Sequence, residues 1–301
     1  MKPIFLELIR RTSTVLSEDV REALQKAARR EPQGSPSRAA FKDILANCRL
    51  AEDSSRPLCQ DTGTNIWYVH LPVTMSQAAV ARDILAATRE ATKRAYLRPN
   101  AVDPITGLNS GDNTGPGAPV IHFHEWGKQS LTADLMLKGG GSENVSATYS
   151  LPHAGTGAGR DIEGIRRVVI DAVFEAQGKG CAPGFIGVGV GGDRATSMVE
   201  AKEQLFRRLD DRNPDPVLDK LERRLLKECN TLGIGPMGFG GKTTVLGVKI
   251  GTRQRLPASF FVAVAYLCWA ARRSSVTITG KGARFTELCE MAAKYRPKGA
   301  K

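Results

Sequence analysis

Glycine- and proline-rich stretches recur along this chain at 109–119, 139–142, 178–184, 212–216 and 233–241, and none gathers into one long linker. Residues of this kind punctuate regular structure. Their spacing therefore limits the chain to short elements joined by many loops. Between them the apolar pattern switches period. Ile4, Leu6, Leu8 and Ile9, then Val20, Leu24, Ala27 and Ala28, recur at helical spacing and predict two or three helices within 1–50. Further helices are expected over 76–96, 160–177, 195–209, 215–228 and 258–272. Strands are expected over 64–73, 120–125, 130–137, 184–190, 244–250 and 276–278. This reads as a mixed α/β fold: a single large domain over 1–301, with an N-terminal helical region and short sheets whose loops converge on a site. The tail after Ala292 is expected to be mobile.

A chain of 301 residues with 41% hydrophobic and 25% charged residues can bury a sizeable core. Its longest apolar run, 257–271, falls short of the roughly 20 residues that span a bilayer and reads as a buried core helix. Pro257 would suit its start and Arg272–Arg273 its end, where cations complement the helix dipole. The first residues lack a signal-peptide pattern, so a cytoplasmic protein with no membrane partner is expected. The formal charge is +12, and residues 252–301 hold ten Lys or Arg against two Glu. Aromatic residues make up only 6% and no groove-reading motif is present, which argues against nucleic acid and for small anions or an acidic partner.

Three motifs carry less than they promise. Residues 187–192 match G-x-G-x-x-G, but the acidic residues about 20 positions on, Asp210 and Asp211, fall in a polar loop and not at a strand end. A glycine-rich strand packed closely by another backbone explains the match. Gly241-Lys242-Thr243 ends like a phosphate loop, yet Pro236 stands where the first glycine must be. His122 and His124 share one face of an expected strand, without the further ligands of a zinc site.

Six cysteines in a chain of this length are too sparse for a disulfide scaffold. Cys59, Cys181 and Cys229 sit in loop-like strings, whereas Cys48, Cys268 and Cys289 sit in helix-like or apolar surroundings, where a thiol acts as a small hydrophobe. Three loop thiols are an incomplete set for a four-ligand metal site. Spacing alone leaves a shared site and three separate thiols both open.

The strings RPLCQDTGT (56–64), LRPNAVDP (97–104), KGGGSEN (138–144), GCAPGFIGVGVGGD (180–193), ECNTLGIGPMGFGGKTT (228–244) and PASFFVAVAYLCWAARR (257–273) settle that choice by resemblance. In order and over nearly the whole chain, they resemble the iron–sulfur domain of class I fumarate hydratases. Tartrate dehydratase α subunits share most of the frame, and KGGGSEN looks more like the fumarase branch. The resemblance implies that Cys59, Cys181 and Cys229 hold a [4Fe-4S] cluster whose fourth iron lacks a protein ligand and acts as a Lewis acid in interconverting L-malate and fumarate plus water. It implies proton transfer by Asp61. Gln60, Arg98, Gly140 and Gly141 would contact the C4-dicarboxylate; Lys242 and Thr243, which the resemblance does not match to a family position, are expected near the mouth.

Each residue also has a plainer reading. An Asp in a turn bonds its own backbone, an Arg makes a surface salt bridge, and paired glycines make a hairpin. The family's complete enzyme has a second, smaller domain. A β subunit is therefore expected to complete an α2β2 enzyme that is inactive as the α chain alone. An α subunit of a tartrate or other hydroxy-dicarboxylate dehydratase, and a non-catalytic cluster-binding protein, are the alternatives.

Overall fold

The computed structural model describes residues 1–287 and Cys289. The tail expected to be mobile lies outside the described residues. Two compact units make up the chain: one from Met1–Glu18, Ala46–Gly140 and the segment beginning at Ala270, the other from Asp19–Leu45 and Gly141–Trp269. The fold is mixed α/β, with helices at the N-terminus and two small sheets. Among the described residues no helix is long and apolar enough to cross a membrane.

The chain opens with α1 (Lys2–Thr14), α2 (Glu18–Arg30) and α3 (Pro36–Ser54), followed by β1 (Thr64–Pro72) and α4 (Gln77–Lys93). Helix α4 starts where Ser76 accepts a hydrogen bond from the Ala79 N–H, a side-chain cap for an otherwise unpaired donor. Then come β2 (Val120–Trp126) and β3 (Leu131–Lys138). With β8 (Arg272–Thr279) and β9 (Gly282–Thr286) they form the sheet of the first unit, in the order β2-β1-β3-β8-β9. One face is apolar: Trp67, Val69 and Leu71 of β1, with Ala133, Leu135 and Leu137 of β3, pack on Phe5, Leu8 and Ile9 of α1 and on Val80, Ile84 and Ala87 of α4. Phe5 meets Trp67 edge to face at 5.6 Å. The other face carries His122, which stacks on Tyr68 at 4.6 Å, and His124, which stacks on His70 at 4.9 Å. The histidine pair is thus part of an aromatic stack. Among the described residues no group of three His, Cys, Asp or Glu is gathered to hold a metal ion.

In the second unit, α5 (Gly140–Asn144) and β4 (Ala147–Ser150) lead into α6 (Ile162–Ala176), β5 (Gly184–Gly191), α7 (Arg194–Gln204), α8 (Pro216–Thr231), β6 (Val245–Arg253) and β7 (Phe261–Leu267). The sheet order is β4-β7-β5-β6. Val168, Val169 and Val173 of α6 and Leu221 and Leu225 of α8 pack with Ile186, Val188 and Val190 of β5. On Gly187 and Gly189, helix α7 lies so close that added Cβ atoms would sit on the carbonyl oxygens of Ala201 and Ser197. The G-x-G-x-x-G string is therefore a packing device, as its plainer reading holds. The Gly-Lys-Thr string is likewise anchored by a carboxylate: the Lys242 N–H donates to Glu31 Oε1 at 2.9 Å and Oε2 at 3.1 Å.

One expectation fails. The apolar run read as a helix over 258–272 is strand β7, which pairs with both β4 and β5, while Arg272 and Arg273 begin β8. A strand inside a sheet covered on both faces loses its alternation and reads as a continuous apolar run. Periodicity does not separate that from a buried helix. The β-branched and aromatic content of Phe261–Leu267 is the signal that favours a strand.

Replacing Gly189 by Ala is expected to push α7 off β5 and cost about 1–3 kcal/mol, as overpacking of a filled core does. A urea unfolding midpoint equal to that of the parent chain would contradict this packing account.

Candidate active site

In the first unit the sheet register gathers the site. Thr64 of β1 pairs with Lys138 of β3, and Leu137 of β3 pairs with Arg272 of β8. The start of β1, the end of β3 and the start of β8 therefore lie at one end of the sheet. The loop entering β1 carries Cys59, half-buried, Gln60, exposed, and Asp61, half-buried. Asp61 Oδ1 accepts from the Gly63 N–H at 3.0 Å, and Oδ2 accepts from the Gly140 N–H at 2.7 Å. The first bond is the local turn expected of an Asp. The second joins residues 79 apart in sequence. Two backbone donors, one on each oxygen, fix the carboxylate's orientation.

Glycine is required here for close approach. Gly63 has φ +80°, and a Cβ on it would lie 2.6 Å from the Lys138 carbonyl. A Cβ on Gly139 would lie 2.9 Å from Asp61 Oδ2. Gly140, expected to offer its N–H to substrate, spends that N–H on Asp61. In the second unit, a Cβ on Gly141 would lie 3.2 Å from the Lys179 carbonyl oxygen.

Arg272 was missed as a site residue because its segment reads as a helix end. It is 1% exposed, and its Nη1 donates to the Asp61 carbonyl at 2.7 Å. Its Nε has no hydrogen bond, and among the described residues it forms no ion pair. A buried guanidinium without a counter-charge costs folding free energy. It raises the positive potential beside Asp61. Arg98 follows α4, and its side chain is exposed. Its backbone N–H donates to Thr62 Oγ1 at 3.0 Å, and Asn100 Nδ2 donates to the same oxygen at 2.9 Å. Buried Thr62 thus ties the Arg98 loop to the Asp61 loop.

The second unit holds the other two candidate thiols. Cys181 adopts a left-handed backbone, φ 54°, after the short turn Gln177–Gly180, and its carbonyl accepts from the Trp269 N–H at 3.1 Å. Cys229 lies in the last turns of α8 and is buried; burial, and secondarily the adjacent Glu228, pushes its thiol up to about 12. Tyr266 of β7 shares the core with Cys229 and is 1% exposed. Its ring fills the space beside the Cys181 loop: a Cβ on Gly180 would come within 2.6 Å of Cε1, and one on Gly184 would overlap the phenol. Burial first, then the thiols of Cys268, Cys181 and Cys229, hold the Tyr266 hydroxyl above its ordinary range. That hydroxyl has no hydrogen-bond partner. Cys268, expected in an apolar helix, instead follows β7 as a half-buried neighbour of this group. None of the six cysteines is in a disulfide, and Cys48 and Cys289 are buried. One buried thiol, Cys229, and two half-buried ones, Cys181 and Cys268, near an unsatisfied hydroxyl fit, by donor chemistry, a sulfur-rich centre.

The structure thus holds a mixed α/β chain with a backbone-held carboxylate in one unit and a thiol-and-phenol group in the other. The family model for fumarate hydratase (Fumerase) matches residues 3–277, and the chain belongs to that family. A protein of Geobacillus stearothermophilus named as a candidate class I fumarate hydratase is 50% identical over 275 residues, 90% of this chain and 54% of that protein. A candidate L(+)-tartrate dehydratase α subunit of Methanocaldococcus jannaschii is 35% identical over 277 residues, 90% of this chain and 95% of that one. The L(+)-tartrate dehydratase α subunit of Escherichia coli K12 is 31% identical over 272 residues, 88% and 86% respectively. The chain therefore spans about half the length of the fumarate hydratase relative and most of the length of the tartrate dehydratase subunits.

With its thiol pushed up to about 12, Cys229 carries almost no thiolate at neutral pH. In iron-free protein at pH 8, iodoacetamide is expected to modify Cys59 and Cys181 before Cys229, read by peptide mass spectrometry. Preferential labelling of Cys229 would contradict its burial.

Proposed function

We propose that this chain is the α component of a hydro-lyase that interconverts L-malate and fumarate plus water, completed by a β-type partner. The observation that carries the reading is the Asp61 carboxylate, fixed by Gly63 and Gly140 and backed by Arg272, which forms no ion pair among the described residues. Family membership and the 50% identity to a candidate class I fumarate hydratase support it.

Cys59, Cys181 and Cys229 are the proposed ligands of a [4Fe-4S] cluster, which would supply a Lewis acid for the departing hydroxyl. Ligation requires each thiol to give up its proton, a demand greatest at buried Cys229. Asp61 moves a proton at the substrate's hydroxyl oxygen, giving it in dehydration and taking it in hydration. Its two backbone bonds keep the carboxylate from rotating away between those roles. Arg98, exposed and held by its backbone at Thr62, offers a two-pronged guanidinium to one substrate carboxylate. Arg272 fixes the Asp61 main chain and adds positive potential for an anionic substrate.

The relatives that this chain matches over most of their length are tartrate dehydratase α subunits. They support a partner chain and make L(+)-tartrate the second candidate substrate. The higher identity to the fumarate hydratase relative favours malate and fumarate.

The test is anaerobic reconstitution of the chain with iron and sulfide, with and without a candidate β subunit, followed by fumarate absorbance with L-malate supplied and by oxaloacetate formation with L(+)-tartrate supplied. The pair is expected to turn over malate faster than tartrate, and the lone chain to be inactive. Full activity of the lone chain, or tartrate preference in the pair, would reject the respective part of the reading. Asp61→Asn is expected to keep iron content and unfolding temperature while losing turnover by about 10²-fold or more; near-parental turnover would remove Asp61 from the mechanism.

A further inference from the structure

Tyr266 is one of the largest fully buried side chains, and its hydroxyl makes no hydrogen bond. Such a group costs folding free energy, because water has been stripped from a donor and nothing has replaced it. A phenylalanine would fill the same space without that cost. The surroundings show where the hydroxyl is directed. The ring lies across the Cys181 loop, in space that only glycine at 180 and 184 leaves open. Its own strand continues directly into Cys268, and Cys229 belongs to the same core cluster. The phenol thus lies within electrostatic reach of the thiols of Cys268, Cys181 and Cys229, and its hydroxyl makes no hydrogen bond.

We propose that Tyr266 is a positioning residue for the iron–sulfur centre, its hydroxyl donating a hydrogen bond to sulfur of the group held by Cys181 and Cys229. The inference rests on the cluster reading given above. Hydrogen bonds to sulfur draw electron density from an iron–sulfur cluster, raise its reduction potential and slow its oxidative breakdown. A cluster sulfur would satisfy this buried hydroxyl. The glycines that flank Cys181 gain a reason as well: they admit the ring close to the ligand loop.

The experiment compares the full chain with its Tyr266→Phe variant after anaerobic loading with ferrous iron and sulfide. Iron and sulfide per chain, midpoint potential and bleaching of visible absorbance in air are the readouts. Before loading, the Phe variant is expected to unfold at the same temperature or higher, because only the unsatisfied hydroxyl is gone. After loading, its cluster is expected to bleach roughly 2- to 10-fold faster, the change that loss of one hydrogen bond implies, and to be reduced at a lower potential. A purely structural tyrosine would instead lower the unfolding temperature of the iron-free chain when replaced and leave potential and bleaching alone. Equal potential and bleaching in two fully loaded proteins overturns the inference while leaving the cluster reading intact. Failure of the parent chain to take up iron overturns both. Infrared spectra of ring-deuterated tyrosine in the parent chain give a test that needs no variant: loading is expected to shift one tyrosine C–O stretch, and an unchanged spectrum counts against the inference.

Discussion

The antiparallel pairing of β1, β3 and β8 is the constraint on which the carboxylate site depends. Once Thr64 faces Lys138 and Leu137 faces Arg272, the loop before β1, the turn after β3 and the first residue of β8 must meet. The pairing is set by burial, because a one-residue slip in β1 would turn Trp67, Val69 and Leu71 away from α1 and α4. An ordinary hydrophobic preference therefore places Asp61 against the Gly140 N–H and the Arg272 guanidinium. The polar groups add direction and leave the register to the core. Gly63 and Gly139 answer the same constraint, since a side chain at either would part the loops that the register brings together.

The second unit reaches close approach by another route. Helix α7 lies directly on Gly187 and Gly189, so β5 gives up side-chain packing on that face for backbone proximity. The opposite face keeps Ile186, Val188 and Val190 against α6 and α8. Alternation between glycine and β-branched residues in Gly184–Gly191 records these two different partners. Beyond that strand's start, Gly180 and Gly184 accommodate Tyr266 in the same manner. The glycine spacing that imitates a dinucleotide motif is thus explained residue by residue through packing.

Much of this was legible in the sequence, and the failures have identifiable causes. Helices α4, α6 and α8 announce themselves through Ser76, Asp161 and Asp215, whose side chains accept hydrogen bonds from the first turn. Strands β1, β2, β3, β5 and β6 stand where β-rich segments bounded by turn residues placed them. Strand β7 was misread because burial on both faces erases the period that identifies a strand. That error hid Arg272, since an arginine at a helix end has an adequate electrostatic reason of its own. The local turn of Asp61 could be read from Asp-Thr-Gly. Its bond to Gly140 could not, because no local pattern encodes a contact across 79 residues. Cys268 moved from the expected helix to the residue after β7 for the same reason that β7 was misread.

Two groups in this chain contradict what stability alone would select. Arg272 is buried with one neutral acceptor and no ion pair among the described residues, and Tyr266 is buried with an unused hydroxyl. Leucine or methionine at the first position and phenylalanine at the second would avoid the desolvation cost. Both groups lie beside residues that the family resemblance marks for chemistry, Asp61 in one unit and Cys181 and Cys229 in the other. Other buried polar atoms, among them Asn65 Nδ2, Trp67 Nε1, Thr88 Oγ1 and Ser275 Oγ, also lack a hydrogen-bond partner; Arg272 and Tyr266 differ from them in their place beside those residues. Under the proposed function, each would be held in place for a ligand that its own unit binds, which would offset the desolvation cost.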